Sequence, residues 1–313
     1  MTSTEFLLRR RQYMASSVSP EKDWSLEPFT IIARDNCRIE VVFDETGVNQ
    51  NYFRVSINGG PIIDYLQTIK TNGCIYLNAG DEIQFFCGDY GAVTYFGDLG
   101  AGSDYGTFDV AGNIMSLHYG ENFVGLTSYD SGCSGYTALF ASCSNIINAE
   151  NMVIPATVDI AAQNSSPFKN CINLVTPPKL TSTTLAHGAY NEFFYGCSSL
   201  QFAPELPATT LSSQCYASMF AQCVSLTSAP VLPALTLLAT CYTNMFTGCT
   251  NLKYIKAMFT TDPNVNIGRH KPCQSWVSGV SSSGTFVKNA NATWTLRGIN
   301  GIPSGWTVQT EQP

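Results

Sequence analysis

The rhythm of apolar and polar positions changes twice along the chain. Residues 1–24 form a mostly polar arm, in which the short apolar run Phe6–Leu8 is followed by Arg9, Arg10 and Arg11. From 25 to 110, runs rich in Ile, Val, Phe and Tyr recur at Phe29–Ala33, Arg38–Phe43, Tyr52–Ile57, Gly73–Leu77 and Glu82–Cys87. Turn-forming residues separate them: Asp35-Asn36, Asn58-Gly59-Gly60, Asn78-Ala79-Gly80-Asp81 and Gly88-Asp89. Short β-rich runs with this punctuation predict strands, and Asn-Gly favours a tight hairpin turn. A small antiparallel β-sandwich is expected here. The Gly-rich stretch Gly97–Gly106 predicts a flexible connection to the remainder of the chain.

The region after 110 is a repeat. Cys143, Cys171, Cys197, Cys223 and Cys249 are spaced by 28, 26, 26 and 26 residues. Three positions before them stand Phe140, Phe168, Phe194, Phe220 and Phe246; three after stand Ile146, Leu174, Leu200, Leu226 and Leu252. Tyr136, Tyr190, Tyr216 and Tyr242 form another column, and so do Leu185, Leu211 and Leu237. Pro178, Pro204 and Pro230 follow their cysteines by seven positions, and Lys256 in that column suggests that the array stops there. Within one unit, Glu205–Pro230, the inward set Cys215, Met219, Phe220 and Cys223 falls at i, i+4, i+5 and i+8. That spacing predicts about two helical turns, then a short extended segment at Ser225–Pro230. Tyr190, Tyr216 and Tyr242 are expected to pack on these helices with their hydroxyls at the surface. A unit this small cannot bury its apolar face alone, so the repeats must stack into a solenoid.

The run Cys215–Ala234 (CYASMFAQCVSLTSAPVLPA) resembles the BspA-type leucine-rich repeats of gut and oral Bacteroidales. The likeness spans roughly 110–260. It extends to Gly106–Gly120, which is similar to the entry segment of such chains, and to Gly284–Gln309, which is similar to their C-terminal cap. Units one and two depart from it: Gln163 and Pro167 stand where the first Cys and Met would be, and Glu150 stands in the Pro column. The expected organisation is an α+β chain: the arm (1–24) and the β-sandwich (25–110) read from the residues, followed, as the resemblance implies, by a leucine-rich-repeat solenoid of about five repeats (111–260) and a cap (261–313). The resemblance also implies adhesion or recognition, either on a bacterial cell surface or on a phage or prophage virion of the same hosts.

Composition narrows the chemistry. The chain has 313 residues, of which only 12% are charged while 44% are hydrophobic. Soluble proteins average about 25% charged residues, so uncharged polar groups must cover much of the surface. Lys plus Arg number 16 against 23 Asp plus Glu, a net charge of -7, which argues against a nucleic-acid partner. No apolar run reaches the 18 or so residues of a membrane span. The order of apolar and basic residues at the N-terminus is the reverse of a secretory leader, so none is expected. The 12 cysteines admit disulfides, a metal site or buried thiols. Side chains aligned in parallel suit a disulfide poorly, zinc prefers closer Cys-x-x-Cys spacing, and Cys is a common fully buried residue. Buried thiols are the reading favoured for the main column. The pairing of Cys37, Cys74, Cys87, Cys133 and Cys273 is not legible.

Candidate chemistry is sparse. His118, His187 and His270 have no nucleophile in a recognisable frame, and His270 with Cys273 lacks further ligands. Asp98 and Asp104 lack the alternating oxygens of a calcium loop. Asp81-Glu82 sits at a turn. No enzyme activity, cofactor or metal is expected. A recognition surface is expected where residues just after the Leu column vary: Val175/Thr176, Gln201/Phe202, Thr227/Ser228 and Lys253/Tyr254. Gln201, Phe202, Thr227, Ser228, Lys253 and Tyr254 are the candidate binding residues for a host-surface glycan or protein, with Phe202 and Tyr254 as anchors. Arg9–Arg11 mark the arm as the attachment point to other virion or surface proteins, and a homo-oligomer is compatible with this reading.

Overall fold

The computed structural model describes residues 22–42, 53–64, 74–87, 95–97, 106–128, 137–157 and 165–311. Strands are the main regular element of these residues, and helix is limited to α1 (Ser116–Tyr119) and a single 3-10 turn at Gly120–Phe123. The strands before the repeats are β1 (Thr30–Ala33), β2 (Cys37–Val42), β3 (Phe53–Ile57), β4 (Ile63–Asp64), β5 (Cys74–Leu77), β6 (Glu82–Cys87), β7 (Tyr95–Gly97) and β8 (Phe108–Asn113). One sheet carries β8, β1, β6, β3 and β4 in antiparallel order; a second carries β5, β2 and β7. Phe29, Phe85 and Phe96 from the two sheets meet with ring centroids 5.0 to 5.9 Å apart. Beneath them Ser116, fully buried, accepts the Phe29 N–H at 2.8 Å and donates to the Phe85 carbonyl at 2.8 Å. That hydroxyl satisfies backbone groups of two strands that would otherwise be buried unpaired.

β8 joins this region to the repeats. It is antiparallel to β1 on one side and parallel to β9 (Ile146–Asn148) and β10 (Met152–Val153) on the other. It therefore runs through the junction expected at 110/111. The Phe96 N–H also donates to the Leu139 carbonyl at 2.6 Å.

The helical turns expected within each repeat are absent. Cys215–Cys223 is instead a chain of overlapping tight turns. Gln214, Ser218 and Gln222 have positive φ of 59°, 55° and 65°. A left-handed residue at every fourth position is incompatible with an α-helix. The backbone donors then divide in two. The N–H groups of Ala217, Met219, Ala221 and Cys223 close turns onto carbonyls three residues back, at 3.1 to 3.2 Å. Those of Tyr216, Ser218, Phe220 and Gln222 cross to Cys241, Thr243, Met245 and Thr247 of the next coil, at 2.7 to 3.0 Å. The same alternation links coils at Ala138 to Ser165, Ser166 to Asn191, Glu192 to Ala217 and Asn244 to Gln274. The array does not stop at Lys256. The segment 272–279 continues it, and β12 (Tyr254–Ala257) pairs in parallel with β13 (Thr285–Asn289), which pairs with β14 (Thr307–Glu311). On the other edge, β11 (Ser228–Leu232) pairs in parallel with β12.

Stacking coils stacks their side chains. Phe140, Phe168, Phe194, Phe220 and Phe246 form a buried column with centroids 5.2 to 5.8 Å apart. It starts on Phe96 and ends on Trp276. The cysteine column has a further reason. The Cys171, Cys197, Cys223 and Cys249 thiols donate to the carbonyls of Phe140, Phe168, Phe194 and Phe220 of the preceding coil at 3.0 to 3.1 Å. Each of those carbonyls already accepts the N–H of its own coil's cysteine, so the thiol takes the second lone pair. Every cysteine whose side chain is described is a buried thiol outside any disulfide. The side chains of Cys74, Cys87 and Cys133 lie outside the described residues. The tyrosine hydroxyls are not at the surface. Tyr190, Tyr216 and Tyr242 stack at 6.0 Å and are at most 1% exposed, and their hydroxyls have no protein partner.

An unpartnered buried hydroxyl costs about 1–3 kcal/mol, so Tyr216→Phe should raise the urea midpoint; a lower midpoint would mean the hydroxyl is bonded in solution. Burial pushes the Cys241 and Cys249 thiols from 9.0 up to about 12. The folded chain then keeps protons that the unfolded chain loses above pH 9. Stability should be level below that pH and fall above it, by about 1.4 kcal/mol per pH unit for each such thiol. Residue-resolved alkylation at pH 8 should modify Cys197, Cys223 and Cys249 only after unfolding.

Candidate binding face

The variable positions after the Leu column lie at the surface. Leu174, Leu200, Leu226 and Leu252 are fully buried, and this places the next residues at the outer edge of each coil. Gln201, Thr227 and Lys253 are exposed and Ser228 is half-buried. Phe202 is 51% exposed and Tyr254 37%. Neither aromatic is inward core.

Pairing brings these residues into rows. Ser228 sits opposite Tyr254, Tyr254 opposite Thr285, and Thr285 opposite Thr307. Phe202 precedes Ser228 by the same 26-residue offset that separates Ser228 from Tyr254. Phe202 lies one repeat before Ser228, outside the paired strands. Thr227 and Lys253 are neighbours, tied by the Lys253 N–H to the Thr227 carbonyl at 2.9 Å, and Gln201 precedes Thr227 by the same 26 residues. Lys256, outward on β12, pairs with Glu311 at 2.8 Å. Partial burial raises the Tyr254 hydroxyl's pKa, and the Lys256 charge opposes that shift. The face therefore offers two aromatic surfaces, amide and hydroxyl groups, and the exposed Lys253.

The remaining sequence candidates are not brought together. His187 and His270 are exposed, whereas Cys273 is fully buried, so His270 and Cys273 share no site. His118 packs edge-on against Tyr119 at 4.5 Å. Asp81 accepts from the Asn58 amide and the Asn78 N–H, each at 2.8 Å, and these bonds hold its carboxyl below the usual range. It pins a turn in its ionised form. No cluster of metal-ligating side chains occurs among the described residues. Arg9–Arg11, Asp98 and Asp104 lie outside the described residues.

The repeat columns hide one further polar feature. Two positions after each cysteine stand Asn145, Asn173, Ser199, Ser225 and Asn251. Asn173 and Asn251 donate side-chain amides to the Ser144 and Val224 carbonyls of the preceding coil, both at 2.9 Å, and Asn145 donates to the Gly106 carbonyl. The recurring Cys-x-Asn-Ile/Leu is its signal in the sequence. Glycine appears where a left-handed position also faces a long neighbour. Gly248 has φ 77°, and an added Cβ would lie 2.6 Å from the Gln222 amide.

Gly248→Ala should therefore destabilise the fold by about 1 kcal/mol or more, read from the urea midpoint, while Thr227→Ala on the exposed row should leave it within about 0.5 kcal/mol. Comparison with family models, with curated proteins and with solved structures finds no match to this chain.

Proposed function

We propose that this chain is a non-enzymatic recognition and attachment protein. In this reading a β-sandwich carries a leucine-rich-repeat type solenoid, and the solenoid presents the face containing Gln201, Phe202, Thr227, Ser228, Lys253 and Tyr254 to a ligand on a host surface or in mucus. The observation that carries the proposal is the pair of half-exposed aromatic rings, Phe202 and Tyr254, at equivalent positions two repeats apart. Exposed aromatics on a rigid scaffold cost little conformational entropy to bind and supply much contact area. Ser228 and Thr227 between them supply hydroxyls, and Gln201 an amide, which suits a ligand rich in hydroxyl groups.

The proposed setting is a phage or prophage particle, tail- or fibre-associated, with the N-terminal region contacting other virion proteins. This rests on the BspA-type pattern of Cys215–Ala234 and on Arg9–Arg11 in the arm. Among the described residues no helix is long and apolar enough to cross a membrane.

Phe202→Ala and Tyr254→Ala should each weaken binding to host cells or mucin by about tenfold, roughly 1.4 kcal/mol, with unchanged thermal unfolding. Unaltered binding by both variants would remove the proposed face. Mass spectrometry of purified particles should detect the chain; its presence in outer-membrane fractions and absence from particles would favour a cell-surface adhesin.

A further inference from the structure

The end of the coil stack opens a second, chemically different site. In earlier coils the N–H groups facing along the stack find carbonyls of another full coil. In the last one, the Ser275 N–H donates to the Asn300 side-chain oxygen at 2.7 Å and the Val277 N–H to the Ile299 carbonyl at 3.3 Å. A short loop thus replaces a coil. Facing it is a tight hairpin in which Ile267 and His270 exchange backbone hydrogen bonds at 2.8 and 3.3 Å. An open surface pocket of about 340 Å³ is lined by residues of the two loops. Arg269 and Lys271 line it from one side, Asn300 and Ile299 from the other, with Asn266 and Gln274 between.

The lining is unusual for this chain. It holds two cations and three amides, and no carboxylate. The protein as a whole has 16 basic residues against 23 acidic ones. Neither Arg269 nor Lys271 has an ion-pair partner among the described residues. The nearby acid Asp262 is turned to its own loop, accepting the Asn264 N–H at 2.8 Å. The hydrogen bond from Ser275 fixes the Asn300 amide with its oxygen occupied, which leaves its NH2 group to donate. Guanidinium, ammonium and amide donors thus line one pocket whose lining holds no carboxylate. Ile299, 53% exposed, adds an apolar contact.

We infer that this pocket is a binding subsite for the acidic group of a saccharide, a carboxylate or sulfate ester on a sugar ring. The cations supply charge-assisted hydrogen bonds to the anion. The amides suit neighbouring ring hydroxyls, and Ile299 suits a ring face. The volume is at the small end of ligand pockets, about 300–1,000 Å³, enough for one sugar unit, and the pocket is open to solvent. Two cations in a chain of net charge -7 do not make the extended basic surface that nucleic acid requires. The site shares no residue with the face carrying Phe202 and Tyr254 and does not depend on it.

Calorimetric titration of the full chain with a glucuronate-containing oligosaccharide, a sulfated one, a neutral one and inorganic sulfate tests this. Binding of either acidic saccharide is expected, weakening with added salt and stronger than that of the neutral saccharide or inorganic sulfate. Arg269→Gln with Lys271→Gln should lower it by about tenfold or more, and Arg269→Gln alone by less, with unchanged thermal unfolding. Thr209→Ala, exposed and outside both sites, should leave it intact. Equal binding of neutral and acidic saccharides would overturn the inference. So would sulfate ion binding as tightly as the acidic saccharides, or a double variant that binds like the parent chain.

Discussion

The repeat region depends on how each coil divides its backbone hydrogen bonds. A helix spends every N–H on itself and leaves nothing for a neighbour. Here alternate N–H groups close local turns and the others reach the next coil. The division requires a left-handed residue at every fourth position. Each such non-glycine residue costs about 1–2 kcal/mol. The columns of Gln214, Ser218 and Gln222 show the cost accepted in coil after coil, because it allows donors and apolar side chains to be paired at once. Gly196 and Gly248 occupy the same column where the preceding coil contributes Asn170 or Gln222.

The side-chain columns follow from that backbone. Coils held at hydrogen-bonding distance place equivalent residues one above another, so each column must stack on itself. Phenylalanine rings do so in offset, nearly parallel arrangement, a favourable geometry for aromatic pairs. Cysteine does so because it is small and its weak donor reaches the Phe carbonyl of the coil before. The tyrosine column packs equally well but leaves its hydroxyls unpaired. Regularity therefore carries a polar penalty in one column while satisfying polar groups in the others.

The same constraint positions the candidate sites. Residues just after the buried Leu column are forced outward at fixed spacing, so variation there changes the surface without disturbing the stack. The pocket at the end of the stack has a different origin. It exists because the last coil is capped by the loop around Asn300 instead of another repeat.

The repeat, its columns, the inward positions and the outward rows were legible in the amino-acid sequence, because burial repeats with the unit and leaves a periodic mark. In the first region β1, β2, β3, β5 and β6 were legible from β-rich runs and turn residues, whereas β4, β7 and β8 were not. The backbone conformation of the repeat was not. Cys215, Met219, Phe220 and Cys223 fit a period of four as well as 3.6 over two turns, and only inter-coil hydrogen bonding decides between them. The continuation past Lys256 was hidden because the spacing from Phe246 to Trp276 breaks the 26-residue offset. The fate of the tyrosine hydroxyls, the thiol bonds to Phe carbonyls and the meeting of Arg269, Lys271 and Asn300 depend on which coils and loops lie against each other. Local sequence sets which residues turn inward; tertiary contact alone sets which polar atoms find a partner.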